Sequence, residues 1–157
     1  DTKIFQGTIR ENIAYGKPNA SIEEIKQAAE LSFANTFIEK LPDGYDTYIS
    51  NSDMLSEGEV QLLNIARIML IKPPILILDE ATSNIDLLTE DMIKKAILEL
   101  TSNSTSIIIA HRLSTIKNCD FIVFIEDGNI VEVGTHDELI NKKGAYYNMY
   151  KSQFNLI

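Results

Sequence analysis

The sequence predicts an α/β fold in which a helical region precedes strands of a parallel sheet, and three features carry that expectation. Two short runs, Ile75-Leu76-Ile77-Leu78 and Ile107-Ile108-Ile109-Ala110, are branched-rich and apolar on both faces, the pattern of strands buried inside a parallel sheet. Each follows a segment of helical periodicity, and alternation of this kind indicates α/β architecture. Asp127-Gly128, set between two further apolar runs, is a hairpin signal and places an antiparallel pair after the parallel strands.

From Ala20 the chain reads as an amphipathic helix. Ser21 and Glu24 have capping-box spacing, and Ile22, Ile25, Ala28, Ala29 and Leu31 recur with helical period. Leu41-Pro42-Asp43-Gly44 closes that region with turn chemistry. A second helix runs from Ser56 to about Ile71, with Leu62, Leu63, Ile65, Ala66 and Met69 on its apolar face, and Pro73-Pro74 stops it. After the first strand come a helix from roughly Leu87 to Leu100, the polar loop Thr101-Ser102-Asn103-Ser104, and the second strand. Phe121 to Ile125 and Ile130 to Val133 form the hairpin arms. Thr135 and Glu138 make another capping box, opening a short helix through Ile140, and Tyr146 to about Phe154 gives a terminal helix. No internal repeat or low-complexity linker interrupts this order.

Composition narrows the function. With 157 residues, 45% hydrophobic and 24% charged, the chain is long enough for one sizeable core. A net charge of −9 argues against nucleic acid as a partner, because phosphate-backbone binders carry a basic surface. The single cysteine, Cys119, cannot form an internal disulfide, so a reducing compartment and a packing role are expected. No apolar run approaches the roughly 18 residues of a spanning helix, and Asp1-Thr2-Lys3-Ile4-Phe5-Gln6 is unlike a secretory signal. The chain is therefore expected to be soluble. It opens without methionine or a polar lead-in, which reads as a segment of something larger.

Three groups of residues carry candidate chemistry. Asp79-Glu80 sits at the carboxyl end of the first apolar strand, where open α/β sheets place their ligands. An Asp there can hold Mg2+, and the next Glu can polarise a water for in-line attack on a γ-phosphate; an acidic turn after a strand is the plainer alternative. His111 follows the second strand in the same register, where an imidazole could contact that phosphate or orient the water, or simply be a satisfied structural histidine. Leu55-Ser56-Glu57-Gly58-Glu59 opens a helix, whose first amides bind anions and whose Gly58 allows close approach. Against that, Ser56 and Glu59 have the spacing of an ordinary capping box.

These residues together resemble the nucleotide-binding domain of ABC transporters, exporter type. Leu55 to Glu59 looks like a degenerate signature motif, usually Leu-Ser-Gly-Gly-Gln. Ile75 to Glu80 matches Walker B, Ala81-Thr82-Ser83-Asn84-Ile85-Asp86 resembles the D-loop, and Ala110-His111-Arg112 matches the switch-histidine segment. Gly7-Thr8-Ile9-Arg10-Glu11-Asn12-Ile13 is similar to the stretch after the Q-loop in exporters, and Phe37 to Thr47 is similarly exporter-like. The resemblance covers almost the whole chain with the motifs in family order. It implies a partial P-loop NTPase fold: residues 1–72 as post-Q-loop segment, α-helical subdomain and signature helix, and residues 73–157 as the C-terminal half of the parallel-sheet core with its last helices. By resemblance Asp79 helps position Mg2+, Glu80 is the general base and His111 senses the γ-phosphate. Ser56 and Gly58 touch ATP held by the opposite subunit, and Ser83 and Asp86 communicate across a dimer. The implied partners are a second nucleotide-binding domain and a transmembrane domain, at the cytoplasmic face of a cell membrane, with hydrolysis of ATP driving transport.

Departures from the family pattern shape further expectations. The seven glycines lie at 7, 16, 44, 58, 128, 134 and 144, and none belongs to a Gly-x-x-x-x-Gly-Lys-Ser/Thr phosphate loop. The Q-loop glutamine would fall just before Asp1. This stretch alone is therefore expected to bind ATP weakly or not at all, and its sheet to leave apolar edge and face uncovered. Glu57 and Glu59 stand for a Gly and a Gln, adding carboxylates where an anion would approach. Ser50-Asn51-Ser52 replaces a glycine-containing exporter stretch. A degenerate signature beside Glu80 would suit an exporter with one strong and one weak ATP site. The competing expectation is a non-catalytic interaction module. A soluble DNA-repair ATPase of the same family is opposed by the acidic charge and by Thr8 to Ile13.

Overall fold

Short-range signals decide most of the backbone of this chain, for which a computed structural model describes residues 3–51, 54–79, 85–102, 104–110 and 116–153. Cα packing separates two units, Asp1–Ile77 with Ala81–Ile107, and Leu78–Glu80 with Ile108–Ile157.

The first unit begins with β1 (Gly7–Thr8), paired antiparallel with β2 (Tyr48–Ile49). Thr8 also caps α1 (Ile9–Ile13): its hydroxyl accepts from the Glu11 amide while the Glu11 carboxylate accepts from the Thr8 amide. A 3-10 turn, Ala14–Gly16, leads to α2 (Ile22–Leu31), where Ser21 and Glu24 close the expected reciprocal box. After α3 (Asn35–Ile38) the chain turns through Pro42-Asp43-Gly44, and Gly44 takes the positive φ that the turn needs. The helix α4 (Glu57–Ile71) has Ser56 as N-cap and ends at Lys72 in the left-handed region, just before the two prolines. Asp86 caps α5 (Leu87–Thr101).

Helix α4 is the axis of this unit, touching α1, α2 and α5. Leu62, Leu63, Ile65, Ala66, Met69 and Leu70 are buried on it, against Ile9, Ile13, Ile25, Ala29, Ile38, Ile49, Ile93 and Ala96. Full burial of each such large aliphatic side chain stabilises by about 1.5–3 kcal/mol, so this cluster is the main source of order here.

Strands β3 (Ile75–Asp79) and β4 (Thr105–Ile109) are neighbours in one sheet, joined through α5, and Thr105 donates its amide to the Pro74 carbonyl at 3.1 Å. Both strands lie where the sequence puts them. Their burial departs from the pattern of strands covered on both faces and agrees with the expected uncovered apolar face. Leu76 is buried, but Ile75 and Ile77 are 64% and 66% exposed, and Ile107 and Ile109 are also open. Side chains alternate across a strand, and among the described residues one face of this pair is left open.

The second unit contains a hairpin of β5 (Ile122–Glu126) and β6 (Asn129–Gly134), antiparallel, with an irregularity between Phe124 and Ile125. Asp127 and Gly128 both have positive φ, 49° and 76°, as a two-residue turn matched to strand twist requires. Thr135 and Glu138 cap α6 (His136–Lys142), and α7 (Ala145–Gln153) follows. Ile122, Leu139 and Tyr146 form the core, with Phe124, Ile140, Met149 and Tyr150 around them. Glu132 is buried among them: it accepts the Tyr146 amide at 2.9 Å and pairs with Lys142 at 3.3 Å. The Tyr146 amide chiefly, then Lys142, holds its carboxyl below the usual range against the opposing effect of burial. Tyr146 places its hydroxyl 2.8 Å from His136 Nδ1, and burial pushes its phenol up. Cys119 is half-buried and burial pushes its thiol up, in keeping with packing.

Candidate functional site

Of the residues expected to meet a nucleotide, Ser56 and Gly58 lie at the start of α4, Asp86 at the start of α5 and Asp79 at the end of β3. Ser56 has extended backbone, φ −66° and ψ 159°, and its hydroxyl accepts the Glu59 amide at 3.3 Å. The Glu59 carboxylate accepts both the Ser56 amide, at 2.8 Å, and the Ser56 hydroxyl, at 2.9 Å. The capping box is thus formed in full. Four such boxes occur among the described residues, at Thr8, Ser21, Ser56 and Thr135, so the motif by itself marks a helix start and not a ligand. What distinguishes Ser56 is the glycine two positions later. Intrahelical bonding begins with Val60 donating to the Ser56 carbonyl, so the Glu57 and Gly58 amides have no intrahelical acceptor, the feature that makes helix starts anion-binding.

Gly58 has a packing reason for lacking a side chain. A Cβ there would collide with the Thr89 methyl and press on Ile85 Cγ2 at 3.3 Å. Thr89 lies in the first turn of α5, and its amide donates to Asp86 Oδ1 at 3.0 Å, as does Leu88 at 3.1 Å. Two predicted site residues, Gly58 and Asp86, are therefore brought together through Thr89. The bonds from Thr89 first of all hold the Asp86 carboxyl below its usual range, so it stays ionised at the start of α5, where a negative charge is favoured.

Asp79 is the last residue of β3, with its carboxylate exposed at the strand's carboxyl end. Glu80, Ser83 and His111 lie outside the described residues. Among the described residues no group of three or more His, Cys, Asp or Glu is arranged to hold a metal. A cation held here would need ligands beyond this cluster. Mg2+ fits that situation, because it is commonly bound by one or two carboxylates, several waters and substrate phosphates.

One constellation carries no sequence motif. Arg67, the only basic residue of α4, reaches Asn12 in α1 and the Lys3 carbonyl, with the Phe5 ring beneath its guanidinium. The Thr8-Ile9-Arg10-Glu11 spacing would have revealed the α1 start, but nothing local reveals a partner 55 residues away.

Comparison with known proteins gives a consistent picture. The family described as "ABC transporter" matches residues 2–83, just over half of the chain. The uncharacterized ABC transporter ATP-binding protein YfiC of Bacillus subtilis (strain 168) is 52% identical over 155 residues, 98% of this chain and 26% of that protein. A Staphylococcus aureus (strain NCTC 8325 / PS 47) protein named for multidrug export, ATP binding and permease function is 51% identical over 154 residues, 98% of this chain and 27% of its own. A solved structure, a bacterial Atm1-family ABC exporter with ATP bound, superposes with a TM-score of 0.83 at 42% identity, over 96% of this chain and 26% of that one. The chain spans about a quarter of the length of these relatives, and its fold is the corresponding part of an ABC exporter's ATPase fold.

Proposed function

The chain belongs to the ABC transporter family, and on that premise we propose that it is the ATP-binding and ATP-hydrolysing segment of an exporter. In this reading it works at a head-to-tail interface with a second nucleotide-binding domain and drives a transmembrane part from the cytoplasmic face of the membrane. The observation that carries the proposal is local. Ser56, Gly58 and Asp86 sit together where α4 and α5 begin, and Asp79 ends a strand. Among the described residues no helix is long and apolar enough to cross a membrane, so the transmembrane part is assigned to other chain.

In this reading Asp79 would help hold Mg2+. The cation, when bound, neutralises charge developing on the phosphates. Glu80 orients the attacking water and takes its proton, and His111 donates to the γ-phosphate. The Ser56 hydroxyl and the Glu57 and Gly58 amides face ATP held by the opposite subunit. Because the Ser56 hydroxyl already donates to Glu59, it must turn from that carboxylate to reach a phosphate. Ser83 and Asp86 connect the two halves.

Turnover of ATP by the full-length protein in lipid tests the proposal. Glu80→Gln is expected to lower kcat about 100- to 1,000-fold while ATP binding persists, the scale of a lost general base. Unchanged turnover overturns the assignment.

A further inference from the structure

We propose that Arg67 is a positioning residue: its guanidinium fixes the Lys3–Asn12 segment to α4 and so sets the placement of the helix start that carries Ser56 and Gly58. This rests on the reading of those two residues as nucleotide contacts.

The geometry is that of a clamp. Arg67 Nε donates to the Asn12 carbonyl at 2.7 Å and Nη2 to Asn12 Oδ1 at 2.6 Å. Nη1 donates to the Lys3 carbonyl at 2.7 Å and to Asn64 Oδ1, one turn back on α4, at 2.6 Å. Four charge-assisted bonds thus join three pieces of chain. Asn12 itself is buried and fully engaged: its amide donates to the carbonyls of Phe5, 2.9 Å, and Thr8, 3.0 Å, and its oxygen also accepts the Phe5 amide at 3.0 Å. The Phe5 ring lies 5.2 Å from the guanidinium carbon and stacks on Tyr15 at 4.1 Å and 12°.

Apolar contact between α1 and α4 holds the two helices close but is non-directional, so it tolerates sliding and rotation. A satisfied polar network does not, because any shift breaks several bonds in a region of low dielectric. Ser56 lies eleven positions before Arg67, about 16 Å along the axis, so a tilt of about 5° at the clamp moves Ser56 by about 1.4 Å. Misplacement on that scale is enough to cost about 100-fold in a reaction that depends on positioning. Lysine would keep the charge but lacks the planar fork that spans Asn12, Lys3 and Asn64.

The test is a double-mutant cycle on the full-length protein in lipid, with turnover normalised to bound ATP. Arg67→Lys is expected to lower kcat about 10-fold with KM for ATP within about 2-fold, and to add less than about 2-fold in a Ser56→Ala background. Sites so far apart on one helix should otherwise be additive. An equal effect in both backgrounds, or a loss only of folded protein at unchanged turnover per site, overturns the proposal. Should Arg67→Lys fail to fold, Phe5→Leu removes only the ring under the guanidinium and is expected to give the same non-additivity at about 3-fold. Hydrogen exchange supplies a readout independent of turnover: the first turn of α4 must exchange faster in the variant, and loosening confined to residues 3–12 also overturns the proposal. Glu80→Gln in the same preparation tests the ATPase reading separately.

Discussion

The helical unit and the hairpin unit solve the same problem with unequal means. Around α4, eighteen buried hydrophobic residues among those described form one cluster, and the buried Asn12 and Ser32 are hydrogen-bonded, while the Thr47 hydroxyl is buried without a partner among the described residues. Among the described residues the hairpin unit buries three, Ile122, Leu139 and Tyr146. It leaves Val123, Ile125, Ile130, Val131 and Val133 open, and relies on a buried Glu132 tied to Tyr146 and Lys142. A helix surrounded by helices can bury its whole circumference. A two-stranded ribbon has one covered face at best, and its order depends more on a few specific bonds.

Three substitutions sharpen that contrast. Leu63→Ala, at the fully buried centre of α4, is expected to cost about 2–5 kcal/mol, the range of buried Leu truncation, read as a lower midpoint in denaturant followed by helical circular dichroism. A cost under about 1 kcal/mol would mean that the α4 core is less tightly packed than described. Gly58→Ala drives a methyl into Thr89 and Ile85 and should cost about 1–3 kcal/mol by overpacking, since Thr89 is held by its amide bond to Asp86. Thr89→Ser in the same chain should recover most of that loss, and absence of recovery would move the constraint from packing to backbone.

Glu132→Gln gives the smallest effect at neutral pH and the clearest pH signature. Its folded carboxyl lies below the ordinary value near 4.5, so the unfolded chain binds the proton first. The stabilisation from Glu132 is therefore complete above that value and is lost as pH falls through the lower folded value. The variant should flatten the acid limb of the melting temperature of the hairpin unit, followed by tyrosine near-ultraviolet dichroism, and leave the helical unit unchanged. An unaltered acid limb would show that other carboxylates dominate it.

Legibility followed the range of the interaction. Ser21, Ser56 and Thr135 announce their helices because a capping box closes within three residues, and Asp127-Gly128 announces its turn because the required φ is a property of two residues. The candidate site was legible in part: Ser56, Gly58, Asp79 and Asp86 were all singled out, but capping and the proposed phosphate contact fall on the same serine, and local spacing cannot separate the two. The structure adds that Gly58 also makes room for Thr89 and that Asp86 caps α5.

By itself the sequence determined α2, α4, α5, α6, α7, the two apolar strands and the hairpin, which residue types stand at their ends, and, through motif order, the family, whereas β1, α1, α3 and β2 were not read from it. Only the tertiary structure decided that Arg67 is spent on Asn12 and Lys3, that Gly58 meets α5, and that Leu76 and not Ile75 or Ile77 lies on the covered face of β3. The physical reason is that propensity, capping and turn geometry act within a few residues of chain, whereas burial and clamping depend on which segments meet in space, and no local pattern records the partner.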